Sequence, residues 1–458
     1  LSVLLSLLGP ALGTGSPDCG GILTPSGLSY RKSGPHLGDF GGLPTVRAAR
    51  DLTPVCTGPR HLHFCSSRNQ INSVKVTELS LALIPDAGLR LSIDVDLSVV
   101  PAPSTTKVTR LSILADFHLE MNPEGNLELV PSSCRPTVEE TQSSEQQDRS
   151  TPRLSSLWGP GNGGNGGRSI SGQESDICLE VSKLLLFPNE QLMSLTAPFP
   201  ITPSCQLQYQ PLAAPVFSEQ GITVSLQTTF QVAGTAVPLP VSPVPFSMPE
   251  PASSRSSHLT LAFSEHFYTS LFFALEAAGA FNVTVPVRAS CRAQNHPPLP
   301  RQMGSLFQED RPVLLQAVFR SSPRVLLEEG KAALQLFLTV HVGAGSPAFQ
   351  SFLSVNVDMS AGLLLSVADT RMLISAAAIE DIELSLAASD VGPVPADLLQ
   401  ELFLPAIHEE VPAQMNAVLR EGVFLPHISS VTYTDANVAI HKGYALVTCN
   451  LQLQARTG

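Results

Sequence analysis

The sequence predicts an α+β fold of two barrel-like halves, each a long, twisted antiparallel sheet wrapped round an amphipathic helix. Three observations predict it. Segments alternating apolar and polar residues run unusually long and follow one another in series. Helical patterns punctuate them only at intervals, which argues for antiparallel pairing over βαβ units. A proline-rich stretch, VPLPVSPVPFSMPEP (237–251), lies almost at the middle of the 458 residues.

The opening, LSVLLSLLGPALGTGS, is a short apolar run followed by small residues. Residues 1–15 read as the remnant of a secretory signal peptide. A membrane anchor needs roughly 20 apolar residues. The longest helical apolar run, YTSLFFALEAAGAF, is short and contains Glu276. A secreted or luminal protein with no transmembrane segment is expected.

An N-terminal domain is expected over 16–205. RLSIDVDLSVV (90–100) and LSILADFHLEM (111–121) each put apolar residues on one face. CLEVSKLLLFPNEQLMSL offers Val181, Leu184 and Leu185 at helical spacing; Pro188 interrupts the pattern and Leu192 resumes it. Residues 32–70 show no sustained period, and 135–175 hold GPGNGGNGGRS in a Ser/Gln/Glu-rich run, so both stretches are expected to be irregular.

A central sheet and proline-rich seam are expected over 206–255. GITVSLQTTFQV (221–232) alternates as a half-buried strand does. The prolines that follow are interleaved with Val, Leu, Phe and Met, whereas disordered linkers are polar. PVSP (240–243) has the spacing of a polyproline ligand but no basic anchor nearby, so a seam shared by both halves is the reading taken.

The C-terminal domain is expected over 256–458. SEHFYTSLFFALEAAG predicts a helix capped by Ser264 and stopped at Gly279. ALQLFLTVHV and FLSVNVDMS predict strands. PADLLQELFLPAIHEEVPAQMNAVLREG predicts a helix that Pro405 and Pro412 kink or segment and Gly422 ends.

Composition bounds the function. Hydrophobic residues make up 43%, charged residues 14% and aromatics 6%. So apolar a chain buries its surface in a dry core or reserves some for an apolar ligand, and periodicity leaves both open. Residues 1–210 carry 15 Lys+Arg against 19 Asp+Glu, and 211–458 carry 12 against 20. Neither half has the basic field that nucleic acid requires. HLHFC (61–65), with Cys56, admits a zinc site or a disulfide, but its spacing is not a usual structural-zinc pattern. No G-x-S-x-G elbow or H-E-x-x-H motif occurs, so no enzyme, cofactor or metal is expected. Asn282-Val283-Thr284 is an N-glycosylation acceptor.

The stretch QLQYQPLAAPVFSEQGITVSLQTTFQV, the seam and LTLAFSEHFYTSLFFALEAAGAFNVTV resemble the bactericidal/permeability-increasing, lipopolysaccharide-binding and palate-lung-nasal-clone (BPI fold) family, long two-domain B branch. The resemblance covers roughly 71–134 and 176–455. It implies a boomerang of two barrels on a central sheet, each with an apolar pocket for the acyl chains of a phospholipid. It also implies one bridge, Cys134 to Cys178, and leaves Cys19, Cys56, Cys65, Cys205, Cys291 and Cys449 unassigned.

Two departures bear on the N-terminal pocket: Gly/Ser/Pro-rich sequence stands where the family runs a long first helix and another between its bridge cysteines. No sizeable Lys/Arg cluster occurs in 1–210 either, so charge-driven lipopolysaccharide binding is not expected. The function implied is a secreted lipid-binding protein with an innate-immune role at mucosal surfaces. Val181, Leu184, Leu185, Leu399, Leu402, Phe403 and Met415 are the candidate pocket lining, with plain core the competing role for each. The alternative is a non-lipid interaction protein of the same fold, retained in the endoplasmic reticulum.

Overall fold

In the computed structural model the alternating segments are strands, paired antiparallel throughout. It describes residues 15–28, 70–100, 107–141, 177–238, 244, 246–249, 257–286, 313–345 and 349–453, except 180, 184, 283, 391 and 430. The expectations for residues 1–14, the HLHFC cluster with Cys56, the glycine run at 159–169, PVSP and Cys291 fall outside them.

The described chain opens with β1 (Cys19–Leu23) and the one-turn helix α1 (Pro25–Leu28). A four-stranded meander follows: β2 (Gln70–Ile84), β3 (Gly88–Val100), β4 (Lys107–Met121) and β5 (Leu127–Thr141). Alternation works as expected in β4, where Ile113, Ala115 and Phe117 are buried and Leu114 is exposed. The irregular stretches expected at 32–70 and 135–175 need correction at their edges. Gln70 opens β2, and residues 135–141 belong to β5. Composition misled because β5 is an edge strand with one ladder to make, and such a strand tolerates Pro131 and Pro136.

Cys134 and Cys178 form the implied bridge, with Cα atoms 5.8 Å apart. It ties β5 to helical residues 177–179 and 181–183, followed by α2 (Leu186–Met193). Pro188 does not interrupt α2, contrary to expectation. It is the third helical residue, in the first turn, where no intrahelical N–H bond is required. Asn189 hooks the helix to the sheet: its Oδ1 accepts from Leu129 N–H at 2.8 Å, and its Nδ2 donates to Leu129 O at 3.2 Å.

The chain continues through β6 (Phe199–Thr202), β7 (Cys205–Pro211), β8 (Val216–Ser218), β9 (Gly221–Val232), β10 (Thr235–Ala236) and β11 (Leu259–Ser264). Helix α3 (Glu265–Ala277) starts where expected, with the Ser264 hydroxyl accepting from Phe267 N–H at 3.3 Å. It is buried nearly all round: Phe267, Tyr268, Leu271, Phe272 and Leu275 are at most 1% exposed. Thr269 and Glu265 also accept the N–H groups of Val325 and Leu327, at 3.0 and 2.9 Å.

The C-terminal sheet comprises β12 (Thr284–Pro286), β13 (Val313–Glu328), β14 (Lys331–Gly345), β15 (Phe349–Ala368), β16 (Arg371–Ser389) and β17 (Val423–Phe424), in that order. Across it lies α4 (Ala396–Leu419), and β18 (Val431–His441) and β19 (Tyr444–Leu453) end the fold.

Of the two outcomes expected at Pro405 and Pro412, a kink or segmentation, segmentation does not occur: α4 is one helix. An interior proline costs about 3 kcal/mol or more. Burying Leu399, Phe403, Ile407, Met415 and Leu419 on one stripe returns about 1.5–3 kcal/mol each, so packing prevails. Asn416 pins α4 to β16 as Asn189 pins α2, accepting from Ala376 N–H at 2.7 Å and donating to Ala376 O at 3.4 Å. Gly422 closes the turn after α4 at φ +68, as expected, where a Cβ would lie 2.8 Å from Met372 O.

Between the two outer sheets lies a nine-stranded sheet of order β18-β19-β11-β1-β9-β7-β6, with β8 and β10 also on β9. Its middle strand is β1, paired to β9 on one side and β11 on the other. Asp18 extends that pairing. Its backbone bonds Leu226 O and Ser264 N–H, and its carboxylate accepts from the N–H (2.9 Å) and the hydroxyl of Thr228. The proline-rich seam lies against this sheet: Phe246 and Tyr444 sit 6.3 Å apart, ring centre to ring centre. At Gly20 a Cβ would lie 2.8 Å from Met248 Sδ and 2.7 Å from Val224 O, so only glycine admits the seam that closely.

Candidate functional site: an apolar cavity in the C-terminal half

Period 2 turns alternate residues of β13 and β14 toward α4: Leu315, Ala317 and Phe319 from one strand, Leu334, Leu336, Leu338 and Val340 from the other. Met359 of β15 and Phe281, just after α3, complete the sheet side. Opposite, α4 presents Phe403, Ala406, Ile407, Val411 and Met415. Between them remains a cavity of about 120 Å³. A dry apolar cavity of about 150 Å³ admits a molecule the size of benzene. In this conformation the space therefore suits part of a hydrocarbon chain and not a whole two-tailed lipid. Glu410 and Gln414 are the polar residues of the lining, one helical turn apart on α4.

Of the expected lining, Phe403 and Met415 face this cavity. Leu399, 2% exposed, lies in the large core outside the lining. Val181 and Leu185 are buried in the smaller N-terminal core with Leu89, Ile113, Ala115, Phe117, Phe217 and Ile222. The side chains of Leu184 and Leu402 are outside the described residues. Asn282 is exposed beside Phe281, with its N–H donating to Gly279 O at 3.1 Å. Sequence reasoning placed the lining on helices. Half of it comes from strands, whose alternation had marked them as buried without distinguishing core from cavity wall.

The buried ionisable groups lie elsewhere, in and beside the central sheet. Desolvation pushes the Asp18 carboxyl up to about 6, against the lowering effect of the Thr228 hydrogen bonds. Burial pushes the free thiol of Cys205 up to about 11, that of Cys449 to about 12, and that of Cys19 well above its ordinary value. Thiols so held stay protonated, which suits neither nucleophile nor metal ligand. Among the described residues no group of three His, Cys, Asp or Glu is placed to hold a metal ion, and no helix is long and apolar enough to cross a membrane.

Residues 201–453 match the family model described as LBP / BPI / CETP family, C-terminal domain. The chain is 55% identical over 469 residues to Protein TENP of Gallus gallus, covering 99% of each. It is 25% identical over 475 residues to BPI fold-containing family B member 2 of Homo sapiens, again covering 99% of each. A crystal structure of lipopolysaccharide binding protein aligns over 96% of this chain and 100% of the other, at TM-score 0.48 and 18% identity.

Proposed function

The chain belongs to the LBP/BPI/CETP family of lipid-binding proteins, and on that premise we propose that it is a secreted protein holding a phospholipid-type acyl chain in its C-terminal cavity. The observation that carries this reading is a lining apolar in every residue but two, both toward one side of α4. Each methylene moved there from water contributes about 0.8 kcal/mol. Roughly six of them supply about 5 kcal/mol before ordering costs, and so binding in the range of about 0.1–1 mM at best. Removal of hydrocarbon from water provides the affinity, and no bond of the ligand is made or broken. The cysteine bridge suits an oxidising compartment. The reading extends to an innate-immune role at mucosal surfaces, with Asn282 carrying a glycan.

Mass spectrometry of an organic extract of the secreted protein, alongside the native mass of the intact chain, tests the proposal. A co-purifying lipid at one per chain fits the C-terminal cavity, and two per chain adds a pocket in the N-terminal half. A folded protein that carries no lipid and takes none up sinks the reading. A stable protein partner on pull-down would then favour an interaction role.

A further inference from the structure

We propose that the rim of the C-terminal cavity selects the head of the bound chain, favouring a neutral or cationic, hydrogen-bond-donating group over an anionic one. The inference rests on the lipid-binding reading and adds the class of head.

Glu410 is exposed and Gln414 half-buried, while their neighbours Ile407, Val411 and Met415 point into the cavity. A chain inserted tail first leaves its head beside these two side chains. The Glu410 carboxylate only accepts hydrogen bonds, and the Gln414 amide can donate and accept. A hydroxyl, amide or ammonium head satisfies both. A carboxylate head, or a phosphate head with no cationic group of its own, meets like charge at Glu410, a repulsion that solvent at this exposed position weakens without cancelling.

The helix reinforces the preference. From Ala396 to Leu419 it carries Asp397, Glu401, Glu409 and Glu410, and no Lys or Arg. Across the cavity, Arg320 of β13 and Lys331 of β14 are engaged on the outer face, by Asp358 and Glu380. Among the described residues the cavity lining includes no basic side chain that could neutralise an anionic head.

The experiment is displacement of a fluorescent fatty probe from the full chain by three single-chain competitors of equal length: an alkylamine, a monoacylglycerol and a fatty acid. The alkylamine and monoacylglycerol are expected to bind about tenfold more tightly than the fatty acid, a margin of about 1.4 kcal/mol. Glu410→Lys is expected to narrow or reverse that ranking. Glu409→Lys makes the same charge change on the same helix away from the lining and is expected to leave it unchanged. Both sites are exposed, so neither substitution disturbs the core. Equal or tighter binding of the fatty acid to the unaltered protein overturns the proposal. So does an equal effect of the two substitutions, which would mean diffuse charge and not a rim contact. Binding of none of the three overturns the lipid-binding reading itself, and this inference with it.

Discussion

The N-terminal sheet has four strands and an 8-residue helix at its edge; the C-terminal sheet has six strands, with a 24-residue helix laid across it. Both helices use the same fastening, an asparagine amide that pairs with one peptide of a strand: Asn189 with Leu129, Asn416 with Ala376. What differs is reach. Helix α4 extends far enough to face two strands' inward side chains and stand off from them, leaving space. Helix α2 spans eight residues. Val181 and Leu185, just before it, pack directly on the sheet, while Leu186, Phe187 and Met193 stay exposed. Among the described residues, then, α4 stands off from its sheet over a cavity, whereas Val181 and Leu185 lie directly on theirs.

The contrast can be broken most forcefully from its better-packed side. Phe267→Ala removes a ring that is 1% exposed and packed against Phe263 and Tyr268. A loss near the upper end of the ~3–5 kcal/mol range is expected, with lipid uptake lost alongside, read by urea titration and displacement of a bound fluorescent probe. The N-terminal half is to be loosened separately by removing its bridge with Cys134→Ser and Cys178→Ser. A 44-residue separation gives a loss of about 4 kcal/mol on the loop-closure account. Hydrogen exchange should rise in β2–β5 and leave β13–β16 as they were. Protection falling equally in both would show one cooperative unit.

The shared sheet has a pH signature. Because burial raises the folded Asp18 carboxyl to about 6 from 3.8, the folded protein holds this proton where the unfolded chain has released it. The stabilisation is therefore full below about pH 4, declines as pH rises through 6, and is absent above. Two units correspond to about 3 kcal/mol. Asp18→Asn should abolish that decline, so that it appears as the difference between the two stability–pH curves; parallel curves would remove Asp18 as the cause. The smallest effects concern the fastenings. Asn189→Ala, part-buried, should cost about 1–2 kcal/mol, and the more exposed Asn416→Ala about 1 kcal/mol. A larger effect at Asn416 would reverse the ranking of the two halves.

Much of the architecture was legible in residue order. The β14 alternation from Leu334 to Val342, the Ser264 cap and the apolar residues among the seam's prolines each reported local physics that the fold keeps. The failures share a cause. The stretch from residue 135, which includes Pro136 of β5, read locally as irregular, Pro188 of α2 as an interruption and Pro405 of α4 as a kink or break. Each is tolerated because of something beyond its neighbours: an open sheet edge, a first helical turn, a stripe of burial. β1 was illegible for the same reason, since CGGIL lacks the composition of a strand and is held by partners remote in the chain. The cavity lining was only half legible, because Phe403 on the helix and Leu336 on the strand give the same pattern whether they touch each other or a ligand.

That middle strand also dictates an order of assembly. Cys19 leaves the ribosome 207 positions before Leu226, its partner on β9, and β11 follows later still. At about 5–20 residues per second, roughly 10–40 s pass in which β1 has no neighbour on either side. The two outer sheets can each form from nearby residues, but the joint between them waits for a segment made long before. Synthesis therefore leaves a sticky, two-sided strand in the compartment for tens of seconds, and its two glycines and short length limit what else can pair with it in the meantime.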